Sequence, residues 1–206
     1  MTGSDENPTS QLDSFREDIL AGLARSQKTI PSRWLYDDRG CELFERITCV
    51  EDYYPTRTET AILRDHTEAI REFCGTHSTV VEYGAGAGIK TEILLATLNC
   101  PVAYVPIDIA GDFLGVTVAR LKTTFPQLPM RPVVADFTRD FDLPTQHAGS
   151  GGARVAFFPG STIGNLEPDE ATAFLRRARS LLGEGGALVL GVDLKKDHGR
   201  LHDAYN

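Results

Sequence analysis

The chain's most informative segment is Val81-Glu82-Tyr83-Gly84-Ala85-Gly86-Ala87-Gly88. Three alternating glycines follow a β-rich stretch and precede a helix-forming one, an arrangement that lets a nucleotide ligand approach the backbone closely. The spacing differs from the G-x-G-x-x-G pattern of dinucleotide sites. Glu82 also stands where a dinucleotide-binding strand is usually apolar. The segment therefore favours a nucleoside cofactor other than a nicotinamide, and it argues against an oxidoreductase.

Strand and helix patterns alternate from residue 79 onward, which predicts a parallel sheet joined by right-handed crossovers. The strand patterns are short and β-branched, as expected for strands that are buried on both faces. The expected strands cover residues 79–83, 103–107, 131–135, 153–158 and 187–192, and the expected helices cover 90–98, 113–125 and 169–182. The fold class is therefore α/β and Rossmann-like, with helices flanking a parallel sheet.

The chain divides into three parts on the same grounds. Residues 1–10 are polar and predict a disordered tail, residues 11–75 predict a helical extension, and residues 76–206 predict the nucleotide-binding domain. Residues 147–152 are expected to form a flexible loop inside that domain. The sequence ends just after the fifth strand, which would leave an unpaired sheet edge, so we expect the final strands of the fold to be absent.

Helical spacing of apolar residues locates the elements of the extension. Helices are expected at about 11–26, 43–47 and 57–73. Thr56 followed by Glu59 has the form of a capping box at the start of the third of these helices.

Composition narrows the function classes. The 206 residues carry a formal net charge of -8, so the surface repels phosphate backbones and a nucleic-acid partner is not expected. No apolar run approaches the roughly 20 residues of a membrane-spanning helix, and the N-terminus lacks the apolar core of a signal peptide. Four scattered cysteines fit a reducing compartment better than a disulfide frame. We expect a cytoplasmic, monomeric protein with a small-molecule partner.

Acidic residues recur at the ends of the predicted strands. Asp108 follows the second strand and Asp136 the third, and ligands of open α/β sheets bind beyond these ends. One carboxylate there can accept both ribose hydroxyls, and Phe137 can lie beside an adenine ring. A single such acid can equally be a turn former or a helix cap. Two of them in register with Glu82 and a glycine loop favour one shared nucleoside site.

Specific motifs are spread over the chain from about residue 12. They are Pro31–Asp37, Glu51–Glu59, Gly84–Thr91, Tyr104–Asp108, Asp136–Phe137, Phe158–Asn165 and Asp193–Asp197 with Tyr205. In these segments the chain resembles the bacterial histidine Nα-methyltransferases, which use S-adenosylmethionine to make hercynine, the trimethylated betaine of histidine, in the ergothioneine pathway. The tyrosine pair Tyr53–Tyr54 and the segment Gly160–Asn165 are the specific elements, because generic methyltransferases lack both.

The resemblance implies a role for each matching position, with the helical extension on the substrate side. The cofactor S-adenosylmethionine would contact Gly84, Gly86, Lys90, Asp108, Asp136 and Phe137. The histidine substrate would contact Tyr53, Asn165 and Tyr205, with Tyr54 as the alternative to Tyr53. Taken alone, a half-buried tyrosine is more often a packing residue. No catalytic base is identified, and no metal is expected, because His198 and His202 lack a third ligand nearby.

Two other functions stay open at this point. A related methyltransferase could act on another amino-acid amine, such as a tryptophan derivative. A non-catalytic module could bind S-adenosylmethionine without turnover, which the expected absence of the final strands favours. For the methyltransferases the hypothesis is in-line displacement by a neutral amine, with the protein supplying orientation and a fitting electrostatic field.

Overall fold

The computed structural model describes residues 8–141, 143–144 and 152–205. The first seven positions of the predicted tail and nearly all of the predicted 147–152 loop lie outside the described residues. Pro8–Ser10, which we expected in the tail, begin the first helix, α1 (Pro8–Ala24). In the described part of the chain, no helix is long and apolar enough to cross a membrane.

Among the described residues, five parallel strands form one sheet in the order β3-β2-β1-β4-β5, which confirms the predicted α/β fold. The strands are β1 (Thr79–Tyr83), β2 (Ala103–Asp108), β3 (Val133–Val134), β4 (Arg154–Phe158) and β5 (Ala187–Leu190). The chain builds outward from β1 through β2 to β3 and then returns to the other side of β1 with β4. This reversal of strand order opens a crevice beyond the carboxyl ends of β1, β2 and β4.

Strand β3 is shorter than the predicted 131–135. Val133 and Val134 pair with Ile107 and Asp108 of β2, and Met130 forms an isolated bridge with Tyr104. Pro132 precedes them and has no N–H to donate to a sheet ladder. The chain nevertheless runs beside β2 before that point, since the backbone amide of Arg131 donates to the carbonyl of Tyr104 at 2.9 Å.

Helices cover the sheet on both faces. Helices α5 (Ile89–Thr97) and α6 (Gly111–Thr124) contribute to one apolar cluster, and α7 (Pro168–Leu182) contributes to the other. Strand residues alternate between the two clusters: Val80 packs in the first, and Val81 and Tyr83 pack in the second. Because both faces of the central strands are covered, most of their residues are apolar.

The N-terminal extension is helical before the first strand. It contains a 3-10 helix (Ser32–Leu35), then α2 (Asp38–Thr48), α3 (Pro55–Asp65) and α4 (Thr67–Cys74). The single helix that we predicted over 57–73 is wrong. The backbone of His66 leaves the helical region, with φ -114° and ψ 23°. The break lets α3 and α4 each pack against α5.

The predicted capping box at Thr56 and Glu59 is also wrong. Tyr54 precedes α3 without a side-chain cap, and Pro55 occupies the first turn, where its missing N–H costs nothing. The Glu59 carboxylate points to Lys90 and Gly160 instead. A second 3-10 helix (Thr162–Asn165) follows β4, and α8 (His198–Tyr205) follows β5.

Candidate functional site

A cavity of about 890 Å³ lies beyond the carboxyl ends of β1, β2 and β4. The glycine loop after β1 and the turns after β2, β3 and β4 form one side of it, and α2 and α8 contribute to the other. All but one of the site residues predicted from the sequence line it: Gly84, Gly86, Lys90, Asp108, Asp136, Phe137, Tyr53, Asn165 and Tyr205. The fold thus brings together residues that are more than 150 positions apart in the chain.

The three loop glycines have positive φ angles, 70° at Gly84, 51° at Gly86 and 69° at Gly88. A Cβ atom at Gly86 would have no described atom within 4 Å, so this position faces open space. A Cβ atom at Gly88 would lie 2.8 Å from the Thr117 side chain, where α6 packs against the loop. Gly86 therefore leaves room for a ligand, whereas Gly88 is required for close packing of the protein itself.

Asp108 ends β2 and is buried beside the loop. Its two carboxylate oxygens accept hydrogen bonds from the backbone amides of Gly86 and Ala110, each at 3.1 Å. Burial raises the pKa of Asp108, and these backbone donors act in the opposite direction. A carboxylate fixed in this way keeps lone pairs free to accept hydroxyl groups of a ribose.

Asp136 and Phe137 follow β3. The amide of Thr138 donates to Asp136 at 2.9 Å, which orients the carboxylate. Phe137 belongs to a cluster of aromatic rings that includes Tyr83 and Phe158, with centroid distances of 6.1 and 5.4 Å. A Cβ atom on Gly84 would lie 3.7 Å from the Phe137 ring. A planar base can therefore lie near this ring with an acid beside it.

Arg33 connects the N-terminal extension to the part of the cavity that contains Asp136 and Phe137. Its guanidinium pairs with Asp136 at 3.7 Å and also with Asp18 of α1. Asp18 in turn accepts from the Trp34 indole at 2.8 Å, and Trp34 packs edge-to-face against Phe15. Arg33 and Trp34 belong to a family motif, but no local pattern indicates their role, since their partners are distant in sequence.

Lys90 lies in the first turn of α5, and its ammonium is paired with Glu59 of α3 at 2.7 Å. The Glu59 carboxylate also accepts the backbone amide of Gly160, at 2.9 and 3.0 Å to its two oxygens. The sequence predicts a helix-capping role for Glu59, and no local pattern marks it as a site residue. Only the tertiary structure reveals the contact between α3 and the turn after β4.

Tyrosines surround the opposite end of the cavity. Tyr53 is buried and packs edge-to-face against Tyr205 and Phe44, with centroid distances of 5.9 and 6.0 Å. Burial raises the pKa of Tyr53, so its hydroxyl remains a neutral donor. The Asn165 amide donates to the Tyr36 hydroxyl at 3.4 Å. Tyr36 lines the cavity as well, although in the sequence it is only part of a family motif with no predicted role.

Tyr54 lies elsewhere. Of the two adjacent tyrosines, only Tyr53 is among the described residues that line the cavity. The Tyr54 hydroxyl donates to Asp193, and Lys196 and Arg200 lie over its ring at 4.3 and 4.5 Å. This arrangement fastens α8 to the start of α3.

Glu82 is a buried acid at the base of the glycine loop, with 1% of its surface exposed. The Thr91 hydroxyl donates to it at 2.7 and 2.9 Å, and the Tyr104 hydroxyl donates as well. Burial raises the pKa of Glu82 to about 8, and the two hydroxyl donors partly oppose that rise. The acid that distinguishes this loop from a dinucleotide site thus ties β1 to α5 and β2.

The cavity therefore suits a nucleoside ligand that carries positive charge. Open space at Gly86, a fixed carboxylate at Asp108 and a ring at Phe137 match a ribose and a base, and further acids line the wall. The volume lies within the range of sites for small molecules and cofactors.

Comparison with known proteins gives consistent results. A family profile described as "Histidine-specific methyltransferase, SAM-dependent" matches residues 15–206. The histidine N-alpha-methyltransferases of Mycobacterium tuberculosis and Mycolicibacterium smegmatis are both 36% identical, over 94% and 96% of this chain and 60% and 61% of their own lengths. Ergothioneine biosynthesis protein 1 of Neurospora crassa is 28% identical over 87% of this chain and 21% of its own. The chain thus spans about 60% of the length of the mycobacterial relatives.

Solved structures share the fold. The mitomycin 7-O-methyltransferase has a TM-score of 0.55 and 14% identity, covering 95% of this chain and 55% of its own. The magnesium protoporphyrin IX methyltransferase of Synechocystis PCC 6803, solved with bound SAM, has a TM-score of 0.53 and 11% identity, covering 84% and 81%. At these identities the likeness establishes the Rossmann-like methyltransferase fold.

Proposed function

Because the chain belongs to the family of S-adenosylmethionine-dependent, histidine-specific methyltransferases, we propose that it transfers methyl groups from S-adenosylmethionine to the α-amino group of L-histidine, giving hercynine. The main observation that supports this proposal is that the glycine loop, Asp108 and Phe137 line the same cavity as Tyr53 and Asn165. A cofactor end and an amino-acid end in one cavity are what a methyl transfer between two small molecules requires.

The cofactor end is assigned to six residues. Gly84 and Gly86 would admit the cofactor close to the backbone, Asp108 would accept the ribose hydroxyls, and Asp136 and Phe137 would contact the adenine. Lys90 would lie near the amino-acid part. When bound, S-adenosylmethionine supplies a methyl group already activated on a sulfonium. The protein's task is then to hold the acceptor amine in line and to shield it from water.

The substrate end is assigned to Tyr53, Asn165 and Tyr205. These side chains are neutral, so they can donate to a carboxylate without placing a second charge near the sulfonium. The raised pKa of Tyr53 supports this role, because the hydroxyl keeps its proton over the physiological pH range. Tyr54 remains the alternative, and its bond to Asp193 makes it a weaker candidate.

The proposal also covers the kind of partner, the cellular compartment and the oligomeric state. A net charge of -8 supports a small-molecule partner over a nucleic acid. Four free cysteines, of which Cys41 and Cys74 are buried, are compatible with a reducing cytoplasm. We propose that the protein acts there as a monomer.

The test is a product analysis. The purified chain is incubated with S-adenosylmethionine and either L-histidine or L-tryptophan, and the products are read by mass spectrometry. Mono-, di- and trimethylated histidine are the expected products. Methylation of tryptophan alone would favour another amine substrate. Binding of S-adenosylhomocysteine without any methylated product would favour a binding module and contradict the proposal for this chain.

A further inference from the structure

We propose that Glu59 is a positioning residue that neutralises Lys90, so that the cavity accepts the positively charged S-adenosylmethionine rather than being selective for its neutral product. This inference rests on the proposed function. It assigns a role to a residue that is distant in sequence from every glycine and strand-end acid of the site. The role depends on the placement of one carboxylate between three structural elements.

The Glu59 carboxylate crosses from α3 to the sheet. It accepts the Lys90 ammonium at 2.7 Å and the Gly160 amide at 2.9 Å on Oε2, and the same amide at 3.0 Å on Oε1. A Cβ atom on Gly191, just after β5, would overlap Oε1. The end of β5 thus lacks a side chain at the point where this carboxylate passes. Both oxygens are satisfied, and their geometry is fixed from three directions.

The ion pair is shielded from solvent. Only 17% of the Lys90 side chain and 18% of the Glu59 side chain are exposed. The pair between Glu92 and Arg120, which also starts from α5, is 38% and 44% exposed. Removing one partner of a shielded pair leaves an uncompensated charge that water screens poorly. The Glu59–Lys90 pair should therefore affect charges in the cavity more strongly than the more exposed Glu92–Arg120 pair.

The neutralisation of Lys90 matters because the cofactor and its product differ in charge. S-adenosylmethionine carries an ammonium, a carboxylate and a sulfonium, and it loses the sulfonium charge when it becomes S-adenosylhomocysteine. Lys90 lines the cavity. Without Glu59 its positive charge would oppose the sulfonium and would act less on the thioether. Glu59 cancels that charge, so that the buried carboxylate of Asp108 on the cavity wall can act on the sulfonium.

The same carboxylate connects the two ends of the cavity. Helix α3 begins directly after Tyr53 and Tyr54, and Gly160 is the first residue of the segment Gly160–Asn165. Gly160 and Ser161 both have positive φ angles, 82° and 58°. The turn is therefore a constrained one, and the Glu59 contact holds its first amide.

The experiment measures affinities and requires no turnover. Isothermal titration of the chain with S-adenosylmethionine and with S-adenosylhomocysteine gives the ratio of the two dissociation constants. In Glu59→Gln the affinity for S-adenosylmethionine should fall at least about tenfold relative to that for S-adenosylhomocysteine, as expected for unit charges several ångströms apart in a partly buried site. A purely structural loss would weaken both ligands alike and leave the ratio unchanged.

Three further variants sharpen the result. Lys90→Met should move the ratio the other way, towards S-adenosylmethionine, because it leaves the Glu59 charge in place. Glu59→Gln combined with Lys90→Met should restore the wild-type ratio. Glu92→Gln removes the carboxylate of the more exposed Glu92–Arg120 pair and should change the ratio much less than Glu59→Gln does. Thermal melting of each variant identifies any variant that fails to fold. If Glu59→Gln fails to fold, the ratio measured in Lys90→Met still tests the role of Glu59.

The outcomes separate the two proposals. Binding of both ligands by the wild type with an unchanged ratio in Glu59→Gln and in Lys90→Met overturns the role of Glu59 and leaves the proposed function standing. A wild-type chain that binds neither ligand overturns the proposed function, and the inference falls with it.

Discussion

Replacing Glu82 by Gln should stabilise the protein at neutral and alkaline pH and have little effect near pH 5. Glu82 is fully buried, and burial raises the pKa of its carboxyl from 4.5 to about 8. The folded state therefore holds a proton that the unfolded state releases, and the free energy of unfolding falls as the pH rises between these two values. The Gln variant has no such proton to lose, so its stability should not follow this slope.

The magnitude follows from the same two values. One pKa unit corresponds to about 1.4 kcal/mol, so the wild type should lose about 2 kcal/mol of unfolding free energy between about pH 5.5 and about pH 7.5 through this group alone. Over the whole interval from the unfolded to the folded pKa the loss is roughly 5 kcal/mol as an upper bound. Thr91 and Tyr104 can each donate or accept, so they can satisfy the Gln amide.

Urea denaturation at a series of pH values gives the free energy of unfolding for both proteins, and their difference cancels every other titrating group. That difference should grow with pH in favour of Glu82→Gln. Glu92→Gln, at a half-exposed position on α5, serves as the control and should show no trend. A difference that stays constant from about pH 5 to about pH 8.5 would refute a protonated, buried Glu82.

Two other predictions follow from the site. Gly88→Ala should cost about 2–4 kcal/mol of unfolding free energy, because the positive φ and the collision with Thr117 both destabilise the variant. The control, Gly183→Ala, has a φ of 73° and open space around its Cβ position, so it should cost only about 1–2 kcal/mol. Equal losses in chemical denaturation would contradict the packing role of Gly88. Asn165→Ala should raise the KM for histidine about tenfold or more, because it removes a hydrogen bond to a charged group, and it should leave the Kd for S-adenosylhomocysteine unchanged. Steady-state kinetics measures the KM, and calorimetry measures the Kd. An unchanged KM would contradict the assignment of Asn165 to the substrate end.

Local patterns were sufficient for the sheet and the cofactor end. Short, mainly apolar runs that alternate with helical spacing predicted all five strands, because strands covered on both faces consist mostly of apolar residues. The glycine loop and the acids at strand ends predicted one cavity, because carboxyl ends of parallel strands meet at one edge. Strand β3 came out shorter, since Pro132 interrupts its hydrogen bonding.

Contacts between segments that are distant in the sequence could not be predicted from such local patterns. Glu59 has the local spacing of a helix cap, but its carboxylate bonds to Lys90 and Gly160, where the tertiary contact outweighs a cap. The pairing of Arg33 with Asp136 spans more than 100 residues, and no local periodicity encodes it. Similarly, Tyr53 and Tyr54 are adjacent and alike in type. The direction in which each points depends on how α3 meets α8.

The most direct test of the account is a titration of the isotope-labelled chain with S-adenosylhomocysteine, followed through its backbone amide resonances. We predict one saturable binding event that moves the amides of residues 84–88, 108–110 and 136–138 together, with a single dissociation constant. Perturbations scattered over separate surfaces, or no binding at all, would contradict the claim that these residues form one cofactor site.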